Sequence, residues 1–408
     1  MVVRNKPLIT RMVWIICQIP GRVFFYIRTR RVVRCFFMVL LLFLYCEYFH
    51  YFFVLLMCKW PKLPQNDGFM YGNGDANRPI KAMVIADTHL LGVKTGHWFD
   101  KLRREWQMER SFQTSMLIHS PDVVFILGDL LDEGKWSTDA EFKKDVARFK
   151  KMFATPKDTA TKVLVGNHDI GFHYMIDEHK HRRFEKAFSS PSVQLFDFHG
   201  NLFVLMNSMA MEGDGCKLCT EAVNSLEEIS WQLKCAEGRS SSKSSPPICD
   251  AMEKLSYSRP ILLQHFPMYR PSDVNCSLPD SAPVDEKDIP FKEKWDCLSE
   301  ESTKQVFEWI KPRLILSAHT HHGCYRVHPN SVPEWTVASF SWRNKKSPTF
   351  LQVVLTPDDF AVKQCYLPSE RTVITIYITG VLIALLLLLF PYKPSTTATD
   401  TDWVNKTH

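Results

Sequence analysis

Ala82-Met83-Val84-Ile85-Ala86-Asp87-Thr88-His89 is an apolar β-type run that leads straight into a carboxylate and an imidazole. The pattern recurs twice. Val123-Val124-Phe125-Ile126-Leu127 leads into Gly128-Asp129-Leu130-Leu131-Asp132, and Lys162-Val163-Leu164-Val165 into Gly166-Asn167-His168-Asp169. Further on, Ile261-Leu262-Leu263 delivers His265, and Arg313–Leu316 delivers His319 and His321. Polar groups are thus predicted at the C-terminal ends of successive strands, where open α/β sheets place their sites. One Asp or His at a strand end is usually a satisfied turn residue. A full set in this order points to two metal ions held close together.

The segments between these strands carry helical periodicity. His97–His119 has Trp98, Leu102, Trp106, Met116 and Leu117 among its apolar positions, and Ser137–Phe153 has Phe142, Val146, Phe149 and Phe153 on one stripe. Glu178–Phe188 is also predicted helical. Strand–helix alternation argues for a parallel-type α/β sheet. Short strands follow at Val193–Phe196 and Leu202–Met206, then a cysteine-bearing insertion at about 212–259 whose Arg239–Ser245 stretch reads as a surface loop. The Pro-rich segment from Pro267 to Pro290, directly after His265, is expected to wall a substrate pocket. Thr349–Leu355 and Phe360–Tyr366 close the domain, and no internal repeat is visible.

Within this set Asp129 is the natural bridge between two cations. Asp87 and His89, two residues apart, present both side chains on one side of an extended turn. His319 and His321 share that spacing, so each can face a different ion. Asn167 offers a carbonyl oxygen and His265 another imidazole. A donor set of N and O without thiolate suits manganese, iron or zinc, and two such ions activate water and clamp a phosphoryl group. His168 adjoins a ligand and is expected to be catalytic, with Asp169 orienting its ring. Asp132 is read as a turn cap. His97, His173, His179, His181 and His199 are read as surface or core residues, and His322 as a bystander.

Charge is unevenly placed. The net charge is +6, and residues 1–34 carry eight basic residues and no acid, so the remainder carries −2. This gives no hint of nucleic-acid binding. Residues 35–58 and 373–390 are apolar enough to span a bilayer, which needs about 20 residues, although Glu47 and His50 interrupt the first. That first segment is longer than a signal core and no small-x-small site follows Cys58, which favours an uncleaved anchor. The basic N-terminus should stay cytosolic. This orientation divides the chain into a cytosolic 1–34, a span 35–58, a lumenal tether 59–79, a lumenal domain 80–366, a span 373–390 and a cytosolic tail 391–408. Eight cysteines between the spans (Cys216, Cys219, Cys235, Cys249, Cys276, Cys297, Cys324 and Cys365) suggest disulfides in an exported domain. Cys216-x-x-Cys219 lacks the second close pair of a zinc site. Asn275-Cys276-Ser277 is a lumenal glycosylation sequon, whereas Asn405-Lys406-Thr407 falls in the tail.

Over residues 80–345 these motifs resemble the calcineurin-like metallophosphoesterase family. The resemblance implies an α/β fold, an αββα four-layer sandwich flanked here by two transmembrane helices. It implies one metal at Asp87, His89, Asp129 and His321, a second at Asp129, Asn167, His265 and His319, and a catalytic His168. The family usually carries Gly before its His-x-His pair, and here Ala318 stands there. The blocks Gly96–Arg110, Asp132–Thr138, Gly171–Tyr174, Asp288–Glu293 and Ser339–Asn344 resemble a membrane-bound branch that remodels glycosylphosphatidylinositol (GPI) anchors. That branch implies two Mn2+ ions and removal of ethanolamine phosphate from the second mannose of the anchor. It further implies GPI-anchored proteins as substrates, cargo receptors as partners, and residence at ER exit sites, the ER–Golgi intermediate compartment and Golgi. The tail departs from it in ending Trp403–His408 without a basic cluster. Trp342 is open to two readings, sugar stacking or core packing. The competing functions are a phosphohydrolase of the same fold with another lumenal substrate, and a non-catalytic trafficking protein; the complete ligand set argues against the latter.

Overall fold

The computed structural model describes residues 21–64, 78–240, 249 and 255–389. Most of the predicted tether, part of the Ser-rich loop and the tail with Asn405 lie outside them. The chain divides into two units, Met1–Phe49 with Arg371–His408, and His50–Glu370.

In the first unit, α1 (Gly21–Leu44) runs into a π-helical turn at Tyr45–Phe49. Arg30–Leu56 and Glu370–Leu389 are each long and apolar enough to cross a membrane. The carboxylate that interrupts the first is not isolated: Glu47 accepts a hydrogen bond from the Tyr377 hydroxyl. Such partners are what a polar group in an apolar segment needs. Leu42 occupies the space where a Cβ on Gly380 would sit, so the small residue lets the two helices approach closely.

The second unit opens with α2 (His50–Leu56), β1 (Ile80–Ile85), α3 (Trp98–His119), β2 (Val123–Ile126), α4 (Asp139–Met152), β3 (Ala160–Val163), α5 (Asn167–Ile170) and α6 (Glu178–Phe188). It continues with β4 (Val193–Phe198), β5 (Asn201–Met206), α7 (Lys217–Ser240), β6 (Ile261–Gln264), α8 (Val284–Lys287) and α9 (Glu300–Ile310). Strands β7 (Leu314–Ser317), β8 (Cys324–Val327), β9 (Pro333–Thr336), β10 (Thr349–Leu355) and β11 (Phe360–Tyr366) follow, and α10 (Glu370–Leu389) leaves the domain. Among the described residues the strands form one sheet in the order β11-β10-β1-β2-β3 and another in the order β4-β5-β6-β7-β9-β8. In the first β1-β2-β3 are parallel and antiparallel β10 and β11 are added beside β1; in the second β5-β6-β7-β9 are parallel, with antiparallel β4 and β8 at the two edges.

Alternation along the strands sorts the core into layers. Ala82, Val84, Val123 and Phe125 point into a core shared with Phe203, Leu205, Ile261, Leu263, Leu314 and Leu316 of the other sheet. Their neighbours Met83, Ile85, Val124 and Ile126 face outward against Phe112 and Met116 of α3 and Phe142, Val146 and Phe149 of α4. On the far side Leu202, Val204, Leu262 and Ile315 lie against Leu226, Ile229 and Leu233 of α7 and Val306 of α9. The result is helix, sheet, sheet, helix.

Helix starts follow local chemistry. Thr138 and Glu141 form a capping box at α4, His97 caps α3 and Asp177 caps α6. The 24-residue α7 occupies the segment read from sequence as an insertion; its apolar stripe has a partner only once the second sheet has formed.

The cysteines that pair are not the eight expected between the apolar segments. Disulfides join Cys58–Cys365, Cys216–Cys219, Cys235–Cys249 and Cys276–Cys324, while Cys297 is a buried free thiol. Cys58, at the end of the first apolar segment, replaces Cys297, because the entry to the domain lies beside β11. This bridge closes a loop of 307 residues and constrains the unfolded chain strongly, by about 2–5 kcal/mol in typical cases. Replacing both Cys58 and Cys365 by Ser should therefore lower the melting temperature of the protein under non-reducing conditions. An unchanged melting temperature would show that the bridge contributes nothing to stability.

Candidate metal centre

The residues predicted to bind metal converge at the C-terminal ends of β1, β2, β3, β6 and β7. Backbone geometry there is unusual: Asp87, His89, Asp129, His319 and His321 all have positive φ, between 43° and 77°. Non-glycine residues occupy this left-handed region at a cost, and such strain gathers at functional sites. Close approach explains two glycines nearby. A Cβ on Gly166 would lie 2.2 Å from the Asp129 amide nitrogen, and one on Gly128 2.7 Å from the His265 ring. Ala318 by contrast has no positive φ and packs its methyl into the inter-sheet core.

Two clusters of donors form, and Asp129 belongs to both. Asp87, His89, Asp129 and His321 make one; Asp129, His265 and His319 the other, with Asn167 beside it. The Asp129 Oδ2 atom lies 3.4 Å from both His89 Nε2 and His265 Nε2. His89 Nε2 and His321 Nε2 are 3.0 Å apart, and His265 Nε2 is 3.1 Å from Asn167 Oδ1. Donors bound about 2.1 Å from one ion stand about 3.0–3.4 Å apart, so these separations fit the edges of coordination shells.

Ring orientation agrees. His265 donates from Nδ1 to the Leu127 carbonyl at 2.7 Å, and His319 donates from Nε2 to the Trp295 carbonyl at 2.8 Å. His89 turns Nδ1 to the Asp132 carboxylate at 3.2 Å. In each ring the outer nitrogen is engaged and the other aims inward, the arrangement that fixes metal-binding tautomers. His319 Nδ1 and Asp87 Oδ1 are buried and have no hydrogen-bond partner. Burial, with the Asp129 charge beside it, pushes the Asp87 carboxyl up to about 8 against the opposing pull of His265. His265 is raised to about 9, because Asp129 outweighs the burial that disfavours its charge. Its extra proton stands where a cation would supply the charge. Buried anions and inward lone pairs of N and O, without thiolate, suit a dinuclear metal site.

His168 lines the cleft above this cluster and donates from Nδ1 to the Asp132 carbonyl at 3.0 Å. Asp169 does not orient it. Its two oxygens accept from the Leu131 and Gly166 amides at 2.9 Å each, so the carboxylate is consumed in holding two ligand loops together. Asp132 has the role expected of Asp169, and is more than a turn cap. Its carboxylate reaches His89, lies 3.5 Å from His168 Nδ1 and pairs with Arg343 at 2.8 Å. Those imidazoles hold it far below the usual carboxylate range despite burial. Arg343 and Asn344, the latter 3.4 Å from His321 Nε2, were not legible as site residues; their one signal was the polar run after Trp342. Trp342 itself is core: it is buried and donates to the Pro368 carbonyl.

The cleft, about 360 Å³, is walled by Asp273, Ala282, Glu286 and Pro290 from the Pro-rich segment, as expected. Phe172, Tyr174 and Trp295 stack nearly parallel beside it, with Phe172 and Trp295 4.2 Å apart. Of the histidines set aside, His322 contacts Lys345 and Glu286 rather than the cluster. His97, His179, His181 and His199 lie elsewhere. His173 joins Asp214, Cys216 and Cys219 in a separate group.

Residues 80–323 match the calcineurin-like phosphoesterase family, and the chain belongs to it. It is a metal-dependent phosphoesterase. Metallophosphoesterase 1 of Cricetulus griseus is 49% identical over 85% of this chain and 86% of its own length. Metallophosphoesterase 1 of Danio rerio is 43% identical over 89% and 93%. A solved dimetal phosphatase from Danio rerio is similar at TM-score 0.40 and 12% identity, covering 70% of this chain and 96% of that one.

Asp129→Ala should lose metal from both positions while the domain stays folded, as read by elemental analysis. Asp132→Asn keeps every donor and the backbone carbonyl that holds His168, but removes the carboxylate charge that orients the His89 ring, and should weaken metal affinity about 10–100-fold. Unchanged affinity in Asp132→Asn would leave Asp132 without a role at the cluster.

Proposed function

We propose that this chain is a membrane-bound phosphodiesterase that removes ethanolamine phosphate from the second mannose of GPI anchors, remodelling GPI-anchored proteins for ER exit. Asp87, His89, Asp129 and His321 hold one divalent ion, and Asp129, Asn167, His265 and His319 the other, with manganese at both. The observation that carries the catalytic part is the set of inward donors at shell-edge distances around the shared Asp129. When bound, two such ions supply Lewis acidity and a nucleophilic water at neutral pH.

The chain's own groups do the rest. With Nδ1 tied to Asp132, His168 presents its other nitrogen to the cleft, where it can hydrogen-bond a phosphoryl oxygen or protonate the departing sugar oxygen. Arg343 anchors Asp132 and thereby both imidazoles that Asp132 orients. The bond broken is that between phosphorus and the mannose oxygen. The parallel faces of Phe172, Tyr174 and Trp295 suit the C–H face of a sugar at the cleft.

For topology, we read residues 1–34 as cytosolic, 35–58 and 373–390 as spans, 59–79 as a tether, 80–366 as the lumenal catalytic domain and 391–408 as a cytosolic tail. Disulfides on the second unit and exposed Asn275 support a lumenal domain. Spans at both ends keep the site near lipid-linked substrate and raise its effective concentration. The early secretory pathway and its cargo receptors fit this arrangement.

His168→Ala should keep both metals and lose about 10²–10⁴-fold in turnover, measured on purified protein with a synthetic phosphodiester; loss of metal would make His168 a ligand. Cells lacking the protein should retain ethanolamine phosphate on the second mannose, read by mass spectrometry of released anchors. Unaltered anchors, with the purified enzyme still active on phosphodiesters, would move the substrate to another lumenal phosphoester. Endoglycosidase should shift the wild-type chain but not Asn275→Gln, whereas a shift that depends on Asn405 would invert the topology.

A further inference from the structure

Cys216 and Cys219 are bridged at the N-terminus of α7, away from the metal centre. Their surroundings differ from those of the other three disulfides. Cys216 is half-buried and lines a cleft of about 540 Å³ with His173, Leu218, Arg182 and Glu185, whereas Cys219 is buried. The Cys219 amide donates to Cys216 Sγ at 3.0 Å, so a backbone N–H of the helix start already faces that sulfur. His173 Nδ1 lies 3.7 Å from Cys219 Sγ, and His173 Nε2 is 2.7 Å from Asp214 Oδ2. Asp214 also accepts from the Cys216 amide at 3.1 Å, which locks the carboxylate between the imidazole and the cysteine loop. By comparison the Cys58 sulfur meets the Gln352 amide oxygen and the Cys276 sulfur the Asp273 carboxylate.

The geometry points to a second chemical site: Cys216–Cys219 is an exchangeable disulfide whose co-substrate is an external dithiol, with His173 and Asp214 managing the proton. Thiol–disulfide exchange needs an accessible sulfur to attack, a stabilised leaving thiolate and a route for one proton. Cys216 is the accessible sulfur. An incoming thiolate bonds to Cys216 Sγ, the Cys216–Cys219 bond breaks, and Cys219 leaves with the electron pair. Through His173 Nδ1, with Asp214 held on the ring's other nitrogen, Cys219 receives the proton that the incoming thiol has lost. The partner's second thiol then displaces Cys216, so the partner is oxidised to its disulfide and this pair is reduced by the same two electrons. A helix N-terminus and a Cys-x-x-Cys spacing both favour the Cys216 thiolate. The neighbourhood also reaches the phosphoesterase cleft. His173 lies between Phe172 and Tyr174, whose rings stack beside that cleft.

The test uses the full-length, metal-loaded protein in detergent, titrated with dithiothreitol and mapped by thiol labelling and mass spectrometry. Cys216–Cys219 should open while the other three disulfides remain closed and the protein stays folded. With glutathione disulfide as probe, Cys219→Ser should accumulate a mixed disulfide at Cys216, and Cys216→Ser should not, because Cys219 is buried. His173→Ala should slow opening by about 10²-fold, a loss of the size general acid–base groups produce, with the melting temperature unchanged. Opening of all four bridges together only on unfolding would overturn the proposal, as would equal trapping by the two serine variants. If the reduced protein bound one zinc beyond the dinuclear pair, through Cys216, Cys219 and His173, the site would be a metal site instead.

Discussion

The Asp129 carboxylate is shared by two clusters of buried donors, and most of the domain can be understood as a means of holding it there. A buried anion beside Asp87, with imidazole lone pairs aimed inward, costs free energy unless positive charge compensates it. The protein brings its own strain to the same place, since five of the ligand-type residues adopt left-handed backbone. Two parallel sheet centres lead their strand ends to one point, and the packed core beneath them makes the strained turns tolerable.

Around those donors lies a layer of groups that fix their direction. Asp132 steers His89 and His168, Leu127 and Trp295 steer His265 and His319 through backbone carbonyls, and Asp169 clamps the loops after β2 and β3 together. Imidazole rings rotate about two bonds, so a ligand set without these partners would point its lone pairs in many directions. The polar residues on either side of Trp342 serve the same end, as Ser339 donates to the Asp87 carbonyl and Arg343 grips Asp132.

The disulfides divide by position. Cys58–Cys365 ties the entry of the catalytic unit to its last strand, and Cys276–Cys324 ties the Pro-rich wall of the cleft to β8. Both hold distant segments together. Cys216–Cys219 spans a single helical turn and constrains little of the unfolded chain, which leaves chemistry rather than stability as the account of its surroundings.

The sequence alone determined where β1, β2, β3, β6 and β7 end and which donor follows, because apolar runs and polar ends are local features. It also determined the capped helices, the two apolar segments and the uneven charge. It could not determine that Asp132 rather than Asp169 faces His168. Those two carboxylates are equally close to the motifs along the chain, and which of them meets backbone amides depends on how two loops pack. Cys58 pairing with Cys365 in place of Cys297, the helix at Lys217–Ser240 and the core position of Trp342 were likewise decided by contacts between residues far apart in sequence. Local pattern specifies what a residue can do; only the assembled layers specify which partner it finds.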